Sequence, residues 1–460
     1  MQQPVEPGVH GPYWHHAAPT AYEQRWQEHL HQAAFRYYLY DNTVAGERYL
    51  GLDALTLSSA LHARLVAATE TLARVFRRAV RVVQRDRALV ERFGFNWAVA
   101  EMLQHEPSGP VLSPVGRFDF LLDRAGQWRL LEYNSDTPSG IREALGAGHL
   151  LATALGGRRW RRPSAVLGYR IRQAFGRLLA AAPRPVRRVG IVTDAGYAED
   201  FAQALFLRDL LAPLGPEVVV GDLDNLSVRR GRIVLLGRPL DALYRLYPIE
   251  RLYGHPVFPD LMAATLAGRL WLLNPLAALL AQDKALLAWI WAQREAALFP
   301  PDEQAAIARH LPETYLVEAL PQGLDLEAFV VKEFFGREGE EVYFASALSP
   351  EDWERCRAWR TFVVQRRVRS VEVPRLVRGP KGWRPVPGVP CVGSYEAGGR
   401  WAGHYIRLGD AITTNRARHV PAFVVAQHTS AMPPQRWRAR MASHRAETTP
   451  QRAAVSESPR

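Results

Sequence analysis

The apolar period changes twice along this chain, and that alone demands a mixed architecture. From Thr20 to about Gln104 apolar residues recur three and four apart, as at Leu61, Leu65, Ala68, Leu72 and Val75, which predicts several amphipathic helices. The period then becomes two. Arg117 to Asp123, the turn Arg124 to Gln127 and Trp128 to Asn134 read as a β-hairpin. Helical spacing returns over Ser139 to Leu155, and a further helix ends near Ala182, before the Pro183-Arg-Pro185 break. A β-α-β unit follows, with strands Arg188 to Val192 and Glu217 to Val220 around the helix Ala198 to Leu211, and a third strand, Arg232 to Leu236, is expected to join them. No Gly-x-Gly-x-x-Gly turn follows the first strand, which argues against a dinucleotide site of the usual kind.

Beyond Asp260, helical segments surround Asn274 to Gln293. Short strands are expected at Leu324 to Val331, Glu341 to Ser346, Thr361 to Val368, Val392 to Ala397 and Trp401 to Leu408, the last two joined by Gly398-Gly399. With 460 residues, 48% of them hydrophobic, the chain can bury a large core spread over about three domains. The expected division is a flexible lead (1–19), helices plus the hairpin (20–185), an α/β unit (186–260), a part of helices and short strands (261–426) and a disordered basic tail (427–460).

The formal charge is +12, but the tail from Gln427 onward holds six arginines against two glutamates, a third of that surplus. A nucleic-acid-binding protein is therefore disfavoured as a reading. The chain has only two cysteines, Cys356 and Cys391, which leaves no disulfide scaffold and no four-cysteine zinc site; a reducing, cytoplasmic setting fits. Met1 to His10 carries no secretory pattern, and the apolar run Leu261 to Ala281 is interrupted by Arg269, Asn274 and Pro275, so no membrane span is expected.

Of 58 basic side chains only three are lysine, Lys284, Lys332 and Lys381. A chain that otherwise uses arginine has a reason to keep lysine where a compact ammonium must grip phosphate; a biased composition alone would also leave a few. Lys381 lies in Gly379-Pro-Lys-Gly382 and reads as a turn residue. Lys284 lies near a helix start, whereas Lys332 ends a strand and is followed by glycines at 336 and 339, whose backbone N–H groups can approach phosphate oxygens.

In the hairpin, residues two apart share a face, so Arg117 and Asp119 lie together on one arm and Glu132 and Asn134 on the other. If the faces coincide, two carboxylates and an amide make a hard oxygen set suited to Mg2+. The same pattern also fits a solvated hairpin face with a cross-strand Arg–Glu pair.

The segments Leu131 to Pro138, Asp241 to Pro248, Gln282 to Leu287 and Val331 to Gly339 resemble the synthetase half of the glutathionylspermidine synthase family, and the resemblance runs over roughly residues 20 to 425. It implies an α+β fold: a circularly permuted ATP-grasp with N-terminal helices and an inserted pre-ATP-grasp-like α/β unit, in which the metal-binding residues precede the nucleotide lysines. It implies that Asp119, Glu132 and Asn134 bind Mg2+ and that Arg117 stabilises the transferring phosphoryl group. ATP would be held by Lys284 and Lys332, with Glu338 and Gly339 closing the glycine loop, Gln365, Arg366, Arg367 and Val368 meeting adenine, and Ile412, Thr413 and Thr414 lining the pocket.

On the same resemblance, Arg407 contacts substrate or phosphate, and Thr137, Glu199 and Asp200 belong to the acyl-substrate site. The chain departs from the family at Leu246, beside Arg245, where a threonine is expected. Both cysteines lie late, so no amidase half is expected. The implied activity is an ATP-dependent carboxylate–amine ligase that forms an amide through an acyl phosphate. Its partners would be a small carboxylate, glutathione or peptide-like, and an amine, a polyamine or amino acid. The alternatives are an ATP-binding protein without ligase activity and a basic nucleic-acid-binding protein.

Overall fold

The computed structural model describes residues 8–10, 19–40, 43–44, 47–106, 109, 111–154, 161–336, 342–379, 382–414 and 416–425. Glu338, Gly339, Lys381 and the tail expected to be disordered lie outside the described residues. The fold is α+β, as expected.

The helix Ser59–Val83 buries one stripe, including Leu61, Leu65, Ala68, Leu72, Val75 and Phe76. Its first turn is fixed by Ser58, whose hydroxyl accepts the Leu61 N–H at 3.2 Å. This stripe covers one face of the hairpin Gly116–Leu122 and Trp128–Asn134. Phe76 meets Phe118 and Tyr133 edge-on, with ring centroids 5.4 and 5.0 Å apart, and Trp128 Nε1 donates to Leu61 O at 3.0 Å. Strand alternation on the first arm, and a bulge at Leu131 that resets the alternation on the second, send the polar residues of the hairpin to the opposite face.

The hairpin forms one edge of an antiparallel sheet. Gly382–Ala397 pairs with Gly116–Leu122, then Arg400–Gly409 and Arg418–Val420 follow outward, and Val373–Gly379 also pairs with Gly382–Ala397. Gly398 and Gly399, both at positive φ, make the expected turn between the two long strands.

The β-α-β unit is present, but its third strand is Ala242–Arg245, parallel to Arg188–Thr193, with Trp271–Leu272 beyond it. Arg232–Leu235, expected in that place, lies instead in a separate antiparallel sheet between Leu226–Arg229 and Arg238–Pro239. Parallel partners need a crossover of a dozen or more residues, whereas the two-residue turn at Arg230 and Gly231, both at positive φ, returns the chain antiparallel.

A second four-stranded sheet has the order Thr314–Leu316, Phe362–Arg366, Phe329–Glu333, Val342–Phe344. The expected strand from Leu324 begins five residues later because Asp325 caps a single helical turn, Leu326–Ala328. Within the segment expected to be a flexible lead, Gly8–His10 pairs with Ala54–Ser58, whose other edge takes Ala422–Val425. An open strand edge supplies unpaired N–H and C=O groups to any passing segment, with no apolar period required. Among the described residues no helix is long and apolar enough to cross a membrane.

Candidate active site

The hairpin register sets Arg117 opposite Asn134 and Asp119 opposite Glu132. The faces coincide. Arg117 Nε and Nη2 donate to Asp119 Oδ1 and Oδ2 at 2.7 and 3.0 Å, and Asn134 Nδ2 lies 3.2 Å from Asp119 Oδ2 and 3.3 Å from Glu132 Oε1. Asp119 is 1% exposed and Arg117 4%, so this is not a solvated face. Gly393, across from Asp119, makes room: a Cβ there would sit 2.6 Å from Arg117 Cδ.

Two rare ammonium groups reach the same face from other parts of the chain. Lys284 is the first residue of the helix Lys284–Ala292, whose cap Asp283 accepts the Ala285 N–H at 2.7 Å. Its Nζ donates to Gly336 O at 2.7 Å and stands 3.6 Å from Glu132 Oε2. Lys332 Nζ donates to Gln365 Oε1 at 2.7 Å and to Leu131 O at 3.4 Å. Burial pushes the Lys332 ammonium down to about 8, against the pull of Glu132. Burial would raise the Glu132 carboxyl, but Lys284, Lys332 and Arg407 outweigh it and hold the group at about 2.

Arg407, on the strand Arg400–Gly409, donates through Nη2 to Asp119 Oδ2 at 2.7 Å. Its Nη2 also lies 3.9 Å from the buried thiol of Cys391, which burial pushes up to about 11.

Next to these groups opens a cavity of about 390 Å3. Asp119, Glu132, Lys332, Arg407, Ile412, Thr413 and the whole segment Gln365 to Val368 line it. Six cationic side chains (Arg124, Lys332, Arg366, Arg367, Arg369, Arg407) face three acidic ones (Asp119, Glu132, Glu372), and Leu121, Leu131, Val330, Phe344 and Val389 add an apolar wall. That combination suits a flat apolar ring joined to a polyanion. Arg366 is partly committed to Glu313, at 2.7 and 2.9 Å. Thr414 is not in the lining; its hydroxyl and carbonyl accept the Arg416 and Ala417 N–H groups at 3.3 and 3.0 Å.

Thr137, Glu199 and Asp200 also lie off this cavity. Glu199 and Asp200 occupy the first turn of the helix Ala198–Leu211. One turn on, Gln203 donates to Pro138 O at 3.1 Å and accepts the Ile141 N–H at 3.4 Å, which ties this helix to the loop carrying Thr137. The same loop meets Arg117 through Ser139 O, at 2.9 Å from Nη1. Leu246 is 3% exposed and packed in the core.

Among the described residues no group of three or more His, Cys, Asp or Glu side chains is arranged to hold a metal ion. Asp119, Glu132 and Asn134 nevertheless form a mixed oxygen set around one spot. The two ends of the Asn134 amide are nearly isosteric, and turning it brings Oδ1 to the place where Nδ2 now bridges the carboxylates. Two carboxylates and one amide oxygen fit a hard divalent cation.

Three participants were missed by sequence reasoning. Arg124 and Arg369 enter the cavity from loops without a motif, and no one-dimensional signal marks them. The third is a buried clamp: Arg245 holds Asp136 through two bonds, and Asn274 Nδ2 donates to Asp136 O at 2.9 Å and Arg245 O at 2.8 Å. Asp136 N donates to Gln282 Oε1 at 3.2 Å, so the clamp links the hairpin to the segment that carries Lys284. Asp136 and Arg245 both lie inside the segments that carry the family resemblance, and their opposite charges were the available clue.

The family described as "Glutathionylspermidine synthase preATP-grasp" matches residues 18–425. No curated protein matches the chain. Among solved structures, a glutathione synthetase-like effector from Globodera pallida in apo form superposes with a TM-score of 0.60 at 10% identity, covering 90% of this chain and 99% of that one, and so shares the fold. A gamma-glutamylcysteine synthetase-like protein from Methylobacillus flagellatus gives a TM-score of 0.43 at 12% identity, covering 74% of this chain and 86% of that one. The chain belongs to the glutathionylspermidine synthase family, whose members are ATP-dependent ligases.

Proposed function

We propose that this protein is a carboxylate–amine ligase that binds Mg–ATP in the arginine-lined cavity and forms an amide through an acyl phosphate. The observation that carries the reading is the convergence of two of the chain's three lysines on Glu132. We further propose that the fold is an ATP-grasp in permuted order, with the metal-side hairpin ahead of both lysines and the α/β unit (186–260) inserted between them. Two cysteines in the whole chain, with no disulfide scaffold, suit a cytoplasmic setting.

Lys332 and Lys284 would neutralise phosphate oxygens, and the apolar wall around Phe344 and Val389 would receive the base beside Gln365 to Val368. Mg2+, held by Asp119, Glu132 and Asn134, would screen the triphosphate charge. The substrate carboxylate oxygen attacks the γ-phosphorus, the bond to the leaving ADP oxygen breaks, and Arg117 stabilises the charge on the transferring group. The amine nitrogen then attacks the acyl carbon, phosphate departs, and the nitrogen loses its proton as the amide forms.

Thr137, Glu199 and Asp200 would meet the acid on the Arg117 side. The acid is glutathione or a related peptide and the amine a polyamine or amino acid. The buried apolar Leu246, where a hydroxyl is expected, favours an acid other than glutathione itself. The test is a screen of acids paired with amines, in which one pair should release ADP stoichiometrically with amide. ATP binding without ADP release for any pair would instead mark an ATP-binding protein that is not a ligase.

A further inference from the structure

Every oxygen of the two carboxylates in the hairpin already faces a donor. Asp119 Oδ1 takes Arg117 Nε at 2.7 Å; Asp119 Oδ2 takes Arg117 at 3.0 Å, Arg407 at 2.7 Å and Asn134 at 3.2 Å. Glu132 Oε1 takes Asn134 at 3.3 Å, and Oε2 faces Lys284 at 3.6 Å. Four cationic groups (Arg117, Arg407, Lys284, Lys332) therefore surround two carboxylates, a surplus of two positive charges in a buried place. A free divalent cation approaching Asp119 meets net repulsion and must also displace a guanidinium. A triphosphate meets attraction.

The two arginines on Asp119 differ in their freedom to leave. Arg117 is anchored a third time, by Ser139 O at 2.9 Å, and its side chain is 5% exposed. Among the described residues Arg407 has only the distant Cys391 sulfur besides Asp119, its side chain is 14% exposed, and it lines the cavity, which Arg117 does not. We propose that Arg407 makes metal binding conditional on nucleotide: the triphosphate enters first, draws Arg407 off Asp119, and so frees the oxygen that the metal takes. This order rests on the reading that the cavity receives ATP.

Two measurements on the full-length protein test it. Calorimetry with a non-hydrolysable ATP analogue in EDTA should show binding to the wild type. Binding that appears only when metal is supplied would overturn the order yet leave the cavity's ligand in place, whereas no binding under either condition would overturn both.

In the second measurement Mn2+ is titrated without nucleotide and its free fraction is read by electron paramagnetic resonance. Arg407→Gln should bind Mn2+ roughly tenfold more tightly than wild type, because it removes one charge and one bond from Asp119. Arg407→Lys, which keeps the charge, should stay near wild type, with circular dichroism confirming that both variants fold. Equal Mn2+ affinity in wild type and the glutamine variant would overturn the proposal. The EDTA measurement decides it even if that variant does not fold.

Discussion

The carboxylate of Asp136 receives both terminal nitrogens of Arg245, at 2.8 and 3.2 Å, and neither side chain is exposed. A pair this deep is held by mutual compensation, so removing one partner leaves a charge stranded away from water. Arg245→Met should lower stability by about 3–5 kcal/mol in urea unfolding. The double variant Arg245→Met/Asp136→Leu should recover much of that loss. Equal losses in both would show that the charge pairing is not what matters.

Lys332 fills a slot that is 7% exposed, between Gln365 Oε1 and Leu131 O. A guanidinium is larger and planar, so Lys332→Arg keeps the charge but not the fit. ATP affinity by calorimetry should fall roughly tenfold or more; an unaltered affinity would remove Lys332 from the nucleotide site.

Arg117 lies between Asp119 and the loop at Ser139. Arg117→Ala should cut turnover on the pair found by the substrate screen roughly 100–1,000-fold while ATP binding stays within a few-fold. Turnover at the wild-type level would exclude it from phosphoryl transfer.

Gly140 has φ +83°, and a Cβ there would come within 2.8 Å of the Tyr405 ring. Gly140→Ala combines backbone strain with that clash and should cost about 1–3 kcal/mol. Because Ser139 is its neighbour, turnover should fall more than ATP affinity does. A variant with wild-type melting temperature and turnover would show that the loop adapts freely.

Burial pushes His62 down to about 4, with Arg161 adding to it, and His62 lies 3.1 Å from His404, which is buried still deeper. The unfolded chain therefore takes up this proton near pH 6.5, before the folded chain does. The stability contributed by a neutral His62 is complete above about pH 6.5 and is lost as pH falls toward 4. Burial moves the carboxyl of Glu106 the other way, up to about 7, so the total trend mixes signs and only a difference isolates one group. Between pH 7.5 and pH 5, His62→Gln should lose about 2 kcal/mol less stability than wild type. Identical losses would mean that His62 is charged in the fold.

The hairpin was legible because alternation of Arg117, Asp119, Glu132 and Asn134 needs only a local rule. What alternation cannot say is whether its polar face meets water or protein, since that depends on segments 150 and 200 residues away. Lys284 and Lys332 were legible through rarity, a property of composition rather than of fold. The Asp136–Arg245–Asn274 clamp was not, because its members look like ordinary polar residues until three separate strand ends meet. Arg232–Leu235 was placed in the wrong sheet for a related reason: apolar character marks a strand, while the length of the connection decides its partner.

The chain's near-complete preference for arginine makes amine chemistry selective here. An acylating reagent meets only three lysine side chains; Lys332 lines the cavity, and Lys284 stands 3.6 Å from Glu132, which lines it too. Protection of those two by nucleotide, counted by intact mass after mild acetylation, would report occupancy of the cleft on an otherwise silent surface.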